Sequence, residues 1–148
     1  LILSRNLFFY NKINLKDVFE TRIYLMFFHF SLFLIVFKNK NIKFPQITYD
    51  NLFFSIENNL RELGYGDVAV NKKMKDLNKV LYDILLKLNK NKNSIKVNKD
   101  IVSKYFDELN DSNETKYNLF EEYLTNFYHF CFELSPDNMI KEAIKFKE

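Results

Sequence analysis

Few side chains in this sequence are of the types that carry out covalent or metal chemistry. The 148 residues include 2 His and 1 Cys. His29 and His129 each stand next to a Phe, and a lone His in an apolar helix is more often a hydrogen-bonded core residue than a base or a metal ligand. Cys131 lies on the apolar face of a predicted helix, where a thiol is a small, inert hydrophobe. We therefore predict no catalytic residue, no metal site and no cofactor, and we do not expect an enzyme.

Both glycines of the chain fall in one short segment, Gly64-Tyr65-Gly66. A nucleotide-binding loop of this kind joins a strand to a helix and has a third Gly, whereas this segment is predicted to join two helices. We interpret it as a turn. Gly64 suits the position after a helix, where the backbone is left-handed, and Asp67 suits the N-cap of the next helix. The predicted turn motif is Gly64, Gly66 and Asp67.

Three lysines recur on one face of the helix that is predicted to follow this turn. At 100° per residue, Lys72, Lys75 and Lys79 project within about 60° of one another, opposite an apolar seam. One interpretation is a solvated helix face, on which Arg61 only pairs with Glu57 one turn away. The other adds Arg61 to the three lysines and makes the set a client- or partner-binding surface, suited to RNA or to an acidic protein.

The elements that must position these residues are helices. Apolar residues recur at three- and four-residue spacing along most of the chain, and no segment alternates convincingly with a period of two. The sequence predicts a single all-α domain, residues 1–148, with a central apolar helix and an antiparallel helical hairpin. Loops are predicted at about 39–46, 90–99 and 110–113. Helices are predicted at about 14–38, 48–63, 68–89, 99–109 and 114–134, with a last one that follows Ser135-Pro136 and ends near 146.

The first of these helices contains an uncharged stretch, residues 23–37. Asn14 is its predicted N-cap, and Asp17 lies in its first turn. A helix of this length spans about 22 Å, less than the ~30 Å hydrocarbon layer of a bilayer. We therefore expect a buried core helix with His29 uncharged, and a peripheral contact with a membrane surface stays open.

The composition limits the class of protein further. Hydrophobic residues make up 47% and charged residues 28%, and the mean hydropathy of -0.27 excludes a polytopic membrane protein. Such a supply of core-forming residues argues against disorder. One Cys excludes an internal disulfide, and 2 Gly with 2 Pro are too few for a turn-rich β-sandwich. The net charge of +3 does not by itself indicate a nucleic-acid partner.

The turn and the lysines also carry a family resemblance. The segment from Leu60 to Lys75 resembles the hallmark of the ubiquinol–cytochrome c chaperone family, which runs roughly L-R-E-x-G-x-G-D-x-x-V-x-K-x-x-K. The residues that match it are Leu60, Arg61, Glu62, Gly64, Gly66, Asp67, Val70, Lys72 and Lys75.

A second block of the family stands earlier in the chain, in the right order. It reads D-T-x-D-G-R-F, followed by an apolar run that ends in Leu-His. Val18 and Thr21 replace its Thr and Gly, and of a later aromatic-Tyr-Gly-Arg only Tyr82 is kept. The resemblance is best over about residues 8–90. The positions of the second block are Asp17, Phe19, Glu20, Arg22 and His29.

The resemblance implies an all-α, non-enzymatic chaperone and assembly factor without a cofactor. Mitochondrial members of the family bind newly made cytochrome b before it enters complex III, near the ribosome and with a small partner protein. The implied client is cytochrome b or another apolar membrane protein. The implied location is the bacterial cytoplasm near the inner membrane, or the mitochondrial matrix in a eukaryote. The competing hypothesis is an RNA- or ribosome-binding helical module that uses the same lysines.

Overall fold

Helices account for most of the chain. This computed structural model describes residues 1–88, 95–110, 112 and 114–148, and no strand occurs among them. The all-α prediction is confirmed. Single-turn 3₁₀ helices occupy Leu3–Arg5, Asp107–Leu109 and Ala143–Lys145. The α-helices are α1 (Leu7–Asn11), α2 (Phe19–Asn39), α3 (Gln46–Glu62), α4 (Asp67–Leu88), α5 (Lys99–Tyr105), α6 (Glu114–Glu133) and α7 (Met139–Glu142).

α2 forms the centre of the fold, as residues 23–37 predict. Most of its side chains are buried, and it packs against α4 and α6. Phe28 meets Phe120 of α6 edge to face, and Phe27 stacks on Phe53 of α3. Within the described part of the chain, α2 alone is long and apolar enough to cross a membrane by length and composition, but 72% of its most apolar window is buried inside the fold.

α2 begins later than the sequence predicts. Asn14 is not its N-cap: the residue has a φ of 63° and lies in the connection between α1 and α2. Val18 occupies the N-cap position instead. Asp17 lies outside the helix, and its carboxylate contacts the Arg22 guanidinium at 2.6 Å. Asn is among the few residues that tolerate the left-handed region, so it suits a chain reversal better than a helix start here.

α2 begins late because a separate short helix, α1, precedes it, and the sequence analysis did not predict that helix. α1 buries Phe8 and Phe9 against the core, and Phe9 meets the ring of His29 edge to face. The chain must then turn back before α2 begins, and the irregular backbone after α1 still places Ile13 and Leu15 in the core. The apolar residues in this segment therefore indicate that it is buried, but their spacing does not show where α2 begins.

The predicted helix at 99–109 is interrupted at Phe106. This residue has extended dihedral angles, φ -130° and ψ 94°, which end α5 and begin the 3₁₀ turn at Asp107–Leu109. The break directs the Phe106 ring into the core, where it contacts Phe28 and Phe120. Burial of this aromatic ring outweighs one further turn of α-helix.

The predicted N-cap at Ser135 with Pro136 in the first turn is also wrong. Residues 136–138 form a turn, and α7 begins at Met139 with Asn138 as its N-cap. The predictions for residue 89 and for half of each of the loops at 90–99 and 110–113 fall on 89–94, 111 and 113, which lie outside the described residues.

α3 and α4 form the predicted antiparallel hairpin. Their contact is fixed across the pair by a hydrogen bond of 3.2 Å from the Tyr49 hydroxyl to Asn78 Oδ1. The apolar seam of α4 faces α2 and α3. Its members are buried or half-buried, and they are Val70, Met74, Leu77, Leu81, Ile84 and Leu88. The hairpin leaves the opposite face of α4 in water.

Candidate functional site: the α3–α4 turn and the outer face of α4

The turn between α3 and α4 is a Schellman motif. Gly64 has a φ of 93°, and its amide donates to the carbonyl of Arg61 at 2.9 Å. The amide of Tyr65 donates to the carbonyl of Leu60 at 3.2 Å. These two bonds satisfy carbonyls that the end of a helix leaves free. The prediction that Gly64 ends α3 with a left-handed backbone is confirmed.

Gly64 and Gly66 should respond differently to substitution. A Cβ would meet no atom within 4 Å at either position, but only Gly64 has a positive φ. We expect Gly64→Ala to destabilise the fold by about 1 kcal/mol, or about 3 °C in melting temperature. Gly64→Asn should cost less, because Asn tolerates this region. Gly66→Ser is the matched control and should be neutral, and thermal denaturation that ranks Gly64→Ala with Gly66→Ser would contradict the assignment.

Asp67 does not cap α4, contrary to the sequence prediction. It is the first residue of the helix, and Gly66 stands before it, with its carbonyl accepting from the Val70 amide at 2.9 Å. The Asp67 carboxylate instead pairs with the guanidinium of Arg61. A carboxylate in the first turn still interacts favourably with the helix dipole.

Arg61 is held by two carboxylates at the turn. One nitrogen of its guanidinium lies 2.9 Å from Glu57 Oε1 in α3, and another contacts Asp67 in α4. The hydrogen bonds to Asp67 and Glu57 raise the pKa of Arg61. Asp67 lies roughly 110° round the helix axis from the centre of the three lysines. The structure therefore joins Arg61 to both helices of the hairpin at the turn and does not bring its charge into the row of lysines.

Lys72, Lys75 and Lys79 lie where the sequence predicts, on the exposed face of α4. Asp76 is 3.8 Å from the Lys79 ammonium, a distance typical of a weak surface pair. The neighbouring Lys73 points elsewhere, since its ammonium lies 4.9 Å from the centre of the Tyr65 ring. Three lysines thus share a solvated strip of the helix.

The same strip contains apolar side chains that the sequence analysis missed. Val68 is 85% exposed, Leu86 69% and Tyr82 50%. They continue the spacing of the lysines, so one row of six residues runs along the outside of α4. Each residue of the row precedes a residue of the apolar seam by two positions in the sequence, which places it about 200° from the seam around the helix axis. The spacing was visible in the sequence, but exposure was not. We call this the outer row: Val68, Lys72, Lys75, Lys79, Tyr82 and Leu86.

A second surface feature is an apolar groove of about 350 Å³. α2 forms its floor, α3 one wall, and the two chain ends the rest. Thr48, Asn51 and Ser55 give it a polar edge, and none of its lining residues is Asp, Glu, Lys or Arg. No sequence pattern predicts this groove, because its walls come from distant segments. Its apolar lining includes Met26, Phe30, Phe33, Leu52, Ile140 and Ile144.

His29 is buried and uncharged, as predicted. Its Nδ1 lies 2.6 Å from the carbonyl oxygen of Leu25, which can only accept, so Nδ1 carries the proton. Nε2 therefore accepts from the Tyr123 hydroxyl at 2.9 Å. Burial lowers the pKa of His29 to about 4. The ring joins α2 to α6 and does not act as a base on a solvent-exposed substrate.

The other two candidates for chemistry, Cys131 and His129, differ in burial. Cys131 is buried, and burial raises the pKa of its thiol to about 12, so it stays an unreactive thiol. His129 is exposed, so the prediction of a core histidine is wrong there. Its ring meets that of Tyr128 at 5.5 Å. Within the described residues, no group of three His, Cys, Asp or Glu side chains is placed to hold a metal ion.

Comparison with known proteins connects this hairpin to a family. A family model described as ubiquinol-cytochrome C chaperone matches residues 11–102, more than half of the chain. The chain belongs to the ubiquinol–cytochrome c chaperone family. The searches of curated proteins and of solved structures gave no match.

Membership in this chaperone family implies a non-enzymatic role in the assembly of ubiquinol–cytochrome c reductase, complex III. The matched residues of the chaperone include α2, the turn and the whole outer row. α6 and α7 lie beyond them, although α6 supplies Tyr123 to His29 and α7 closes one end of the groove. The residues that match the family model therefore share their core and the groove with residues that the family model does not match.

Proposed function

We propose that this chaperone binds newly made cytochrome b and shields its apolar helices until that subunit enters complex III. The observation that carries the proposal is the groove, which combines an apolar lining with the absence of any Asp, Glu, Lys or Arg side chain from its walls. A membrane helix has to leave the ribosome before it reaches lipid, and its apolar side chains need cover during that interval.

The lining of the groove suits apolar side chains from one face of a helix. Side chains spaced three and four residues apart on a client helix can enter a groove between two helices. Phe30 and Phe33 offer large contact areas with few rotatable bonds, and Met26 adapts to side chains of different shape. Thr48 and Ser55 supply hydroxyl groups for a polar group of the client. A hydrophobic groove of this kind favours an uncharged segment over a charged one.

The outer row provides a second, separate surface. Its lysines suit an anionic partner that keeps the chaperone where cytochrome b is made, close to the ribosome and to the membrane that receives complex III. That location is the cytoplasmic side of the inner membrane in a bacterium and the matrix side in a mitochondrion. A small partner protein, which the family resemblance implies, belongs to this proposal as well.

Photo-crosslinking tests the client and the groove together. With p-benzoylphenylalanine in place of Ile144, which lines the groove, we expect a crosslink to cytochrome b during its synthesis in cells. The matched control carries the same group in place of Phe54, an exposed residue of α3 that is not part of the groove lining. Equal crosslinking from both positions, or a product without cytochrome b, would contradict the proposal.

The alternative function is an RNA- or ribosome-binding module, which the three exposed lysines favour. The dependence of binding affinity on salt concentration distinguishes RNA binding from capture of an apolar helix. Three phosphate contacts to a single strand give a slope of about -2 in a plot of log affinity against log salt concentration, whereas capture of an apolar helix changes little with salt.

A further inference from the structure

The outer row has a composition that the fold does not require. Its six residues are exposed, although the Tyr82 hydroxyl lies close to that of Tyr49 in α3 and Lys75 borders a small cavity beside that helix. Val68 and Leu86 are among the most exposed apolar residues of the described chain. A single exposed apolar residue is ordinary on a protein surface. Here, however, two aliphatic residues and a Tyr stand in register with three lysines along about 27 Å of one helix.

The order of the residues along the row divides it into three parts. Val68 forms one end, directly after a turn in which Leu63 and Tyr65 are also exposed. Lys72, Lys75 and Lys79 form the middle. Tyr82 and Leu86 form the other end. The row therefore presents apolar ends and a basic centre to solvent.

Nearby acidic groups do not cancel this charge. Asp76 faces Lys79 at 3.8 Å. Asp83 is turned to the side, where Lys104 and the Tyr105 hydroxyl contact it at 2.6 and 2.7 Å, and these contacts lower the pKa of the Asp83 carboxyl. At neutral pH the middle of the row carries a net positive charge, which calls for an anionic partner.

We propose that the outer row docks the chaperone on an anionic lipid bilayer. The six residues lie along one side of a single α-helix, so a planar partner can meet them together. The lysine ammonium groups reach the lipid phosphates, while Val68 and Leu86 enter the boundary between headgroups and acyl chains. RNA is disfavoured because the row has one aromatic ring for base stacking and no Arg. This inference rests on the proposed function in one respect: it names the partner of the second surface.

Vesicle co-sedimentation of the full chain tests the proposal without any client. We expect binding to vesicles of phosphatidylcholine with about 30% phosphatidylglycerol and none to pure phosphatidylcholine. Changing Lys72, Lys75 and Lys79 to Glu should weaken binding at least ~100-fold, since each lysine near an anionic surface contributes about five-fold. Val68→Ser with Leu86→Ser keeps every charge and should weaken binding about ten-fold.

The matched control reverses three exposed lysines that lie outside the outer row and in different segments of the chain, Lys38, Lys43 and Lys96. It changes the net charge by the same amount and should keep most of the binding. Circular dichroism confirms that each variant is folded. Vesicle binding that survives the Lys72, Lys75 and Lys79 substitutions overturns the proposal, as does binding that is indifferent to Val68 and Leu86.

An RNA oligonucleotide that binds through these lysines when vesicles do not would also overturn it. The cytochrome b proposal fails separately, in the crosslinking experiment. A chaperone that binds vesicles but never crosslinks to cytochrome b would keep the bilayer surface and lose the client.

Discussion

Replacing Lys72, Lys75 and Lys79 together with Glu is expected to abolish complex III assembly while the protein itself stays folded. All three residues are exposed, and Glu favours helix about as well as Lys does. Substitutions at such surface positions usually change the free energy of unfolding by less than about 0.5 kcal/mol each. The melting temperature should therefore fall by only a few degrees, although the charge of the surface is reversed.

The measurement is the amount of assembled complex III in cells whose own copy of the chaperone is replaced by the variant. The control is the variant that reverses Lys38, Lys43 and Lys96, which should assemble the complex normally. Purified protein should show a difference in partner binding that shrinks at high salt, where screening weakens the native contact. If the outer-row variant supports normal assembly, the lysines only solubilise α4, and the functional surface must be the groove and the aromatic helices.

Acid is expected to destabilise the fold through His29. In the folded protein the pKa of His29 is lowered to about 4 by burial, whereas in the unfolded chain it is near 6.5. Between these values the unfolded state binds a proton that the folded state does not. The stabilisation is thus complete above pH 6.5 and is lost as the pH falls to about 4, by about 3 kcal/mol.

Chemical denaturation between pH 4 and 7.5 measures this loss. His29→Gln should be less stable at neutral pH, because the hydrogen bonds to Leu25 and Tyr123 are disturbed, but its stability should change much less with pH over this range. His129→Gln removes the exposed histidine and should keep the wild-type slope. A wild-type slope in His29→Gln would show that another group causes the acid sensitivity.

The features that could be predicted from the sequence are those that depend on neighbours along the chain. The seam of α4 follows from three- and four-residue spacing alone. Gly64 could be placed because its backbone conformation is one that other residues avoid. The lysines of the outer row could be placed because their phase on the helix is set by the seam.

The features that could not be predicted depend on what packs from a distance. Asn14 and Phe106 end or delay helices because tertiary contacts compete with local helix preference. The groove joins α2 and α3 to the two ends of the chain, so no single segment contains its pattern. Arg61 could be paired with Glu57 by spacing, but its second partner, Asp67, depends on how the turn closes.

Because α2 lies at the centre of the fold, its burial depends on residues that are synthesised after it. Tyr123, the partner of His29, is made 94 residues after it, and at ~5–20 residues per second that takes about 5–20 s. For those seconds a nascent chaperone displays a stretch long and apolar enough to cross a membrane, with α6 still untranslated. The α3–α4 hairpin is made before α6 and packs on α2, so it is the cover that a nascent α2 can gain while α6 is still absent.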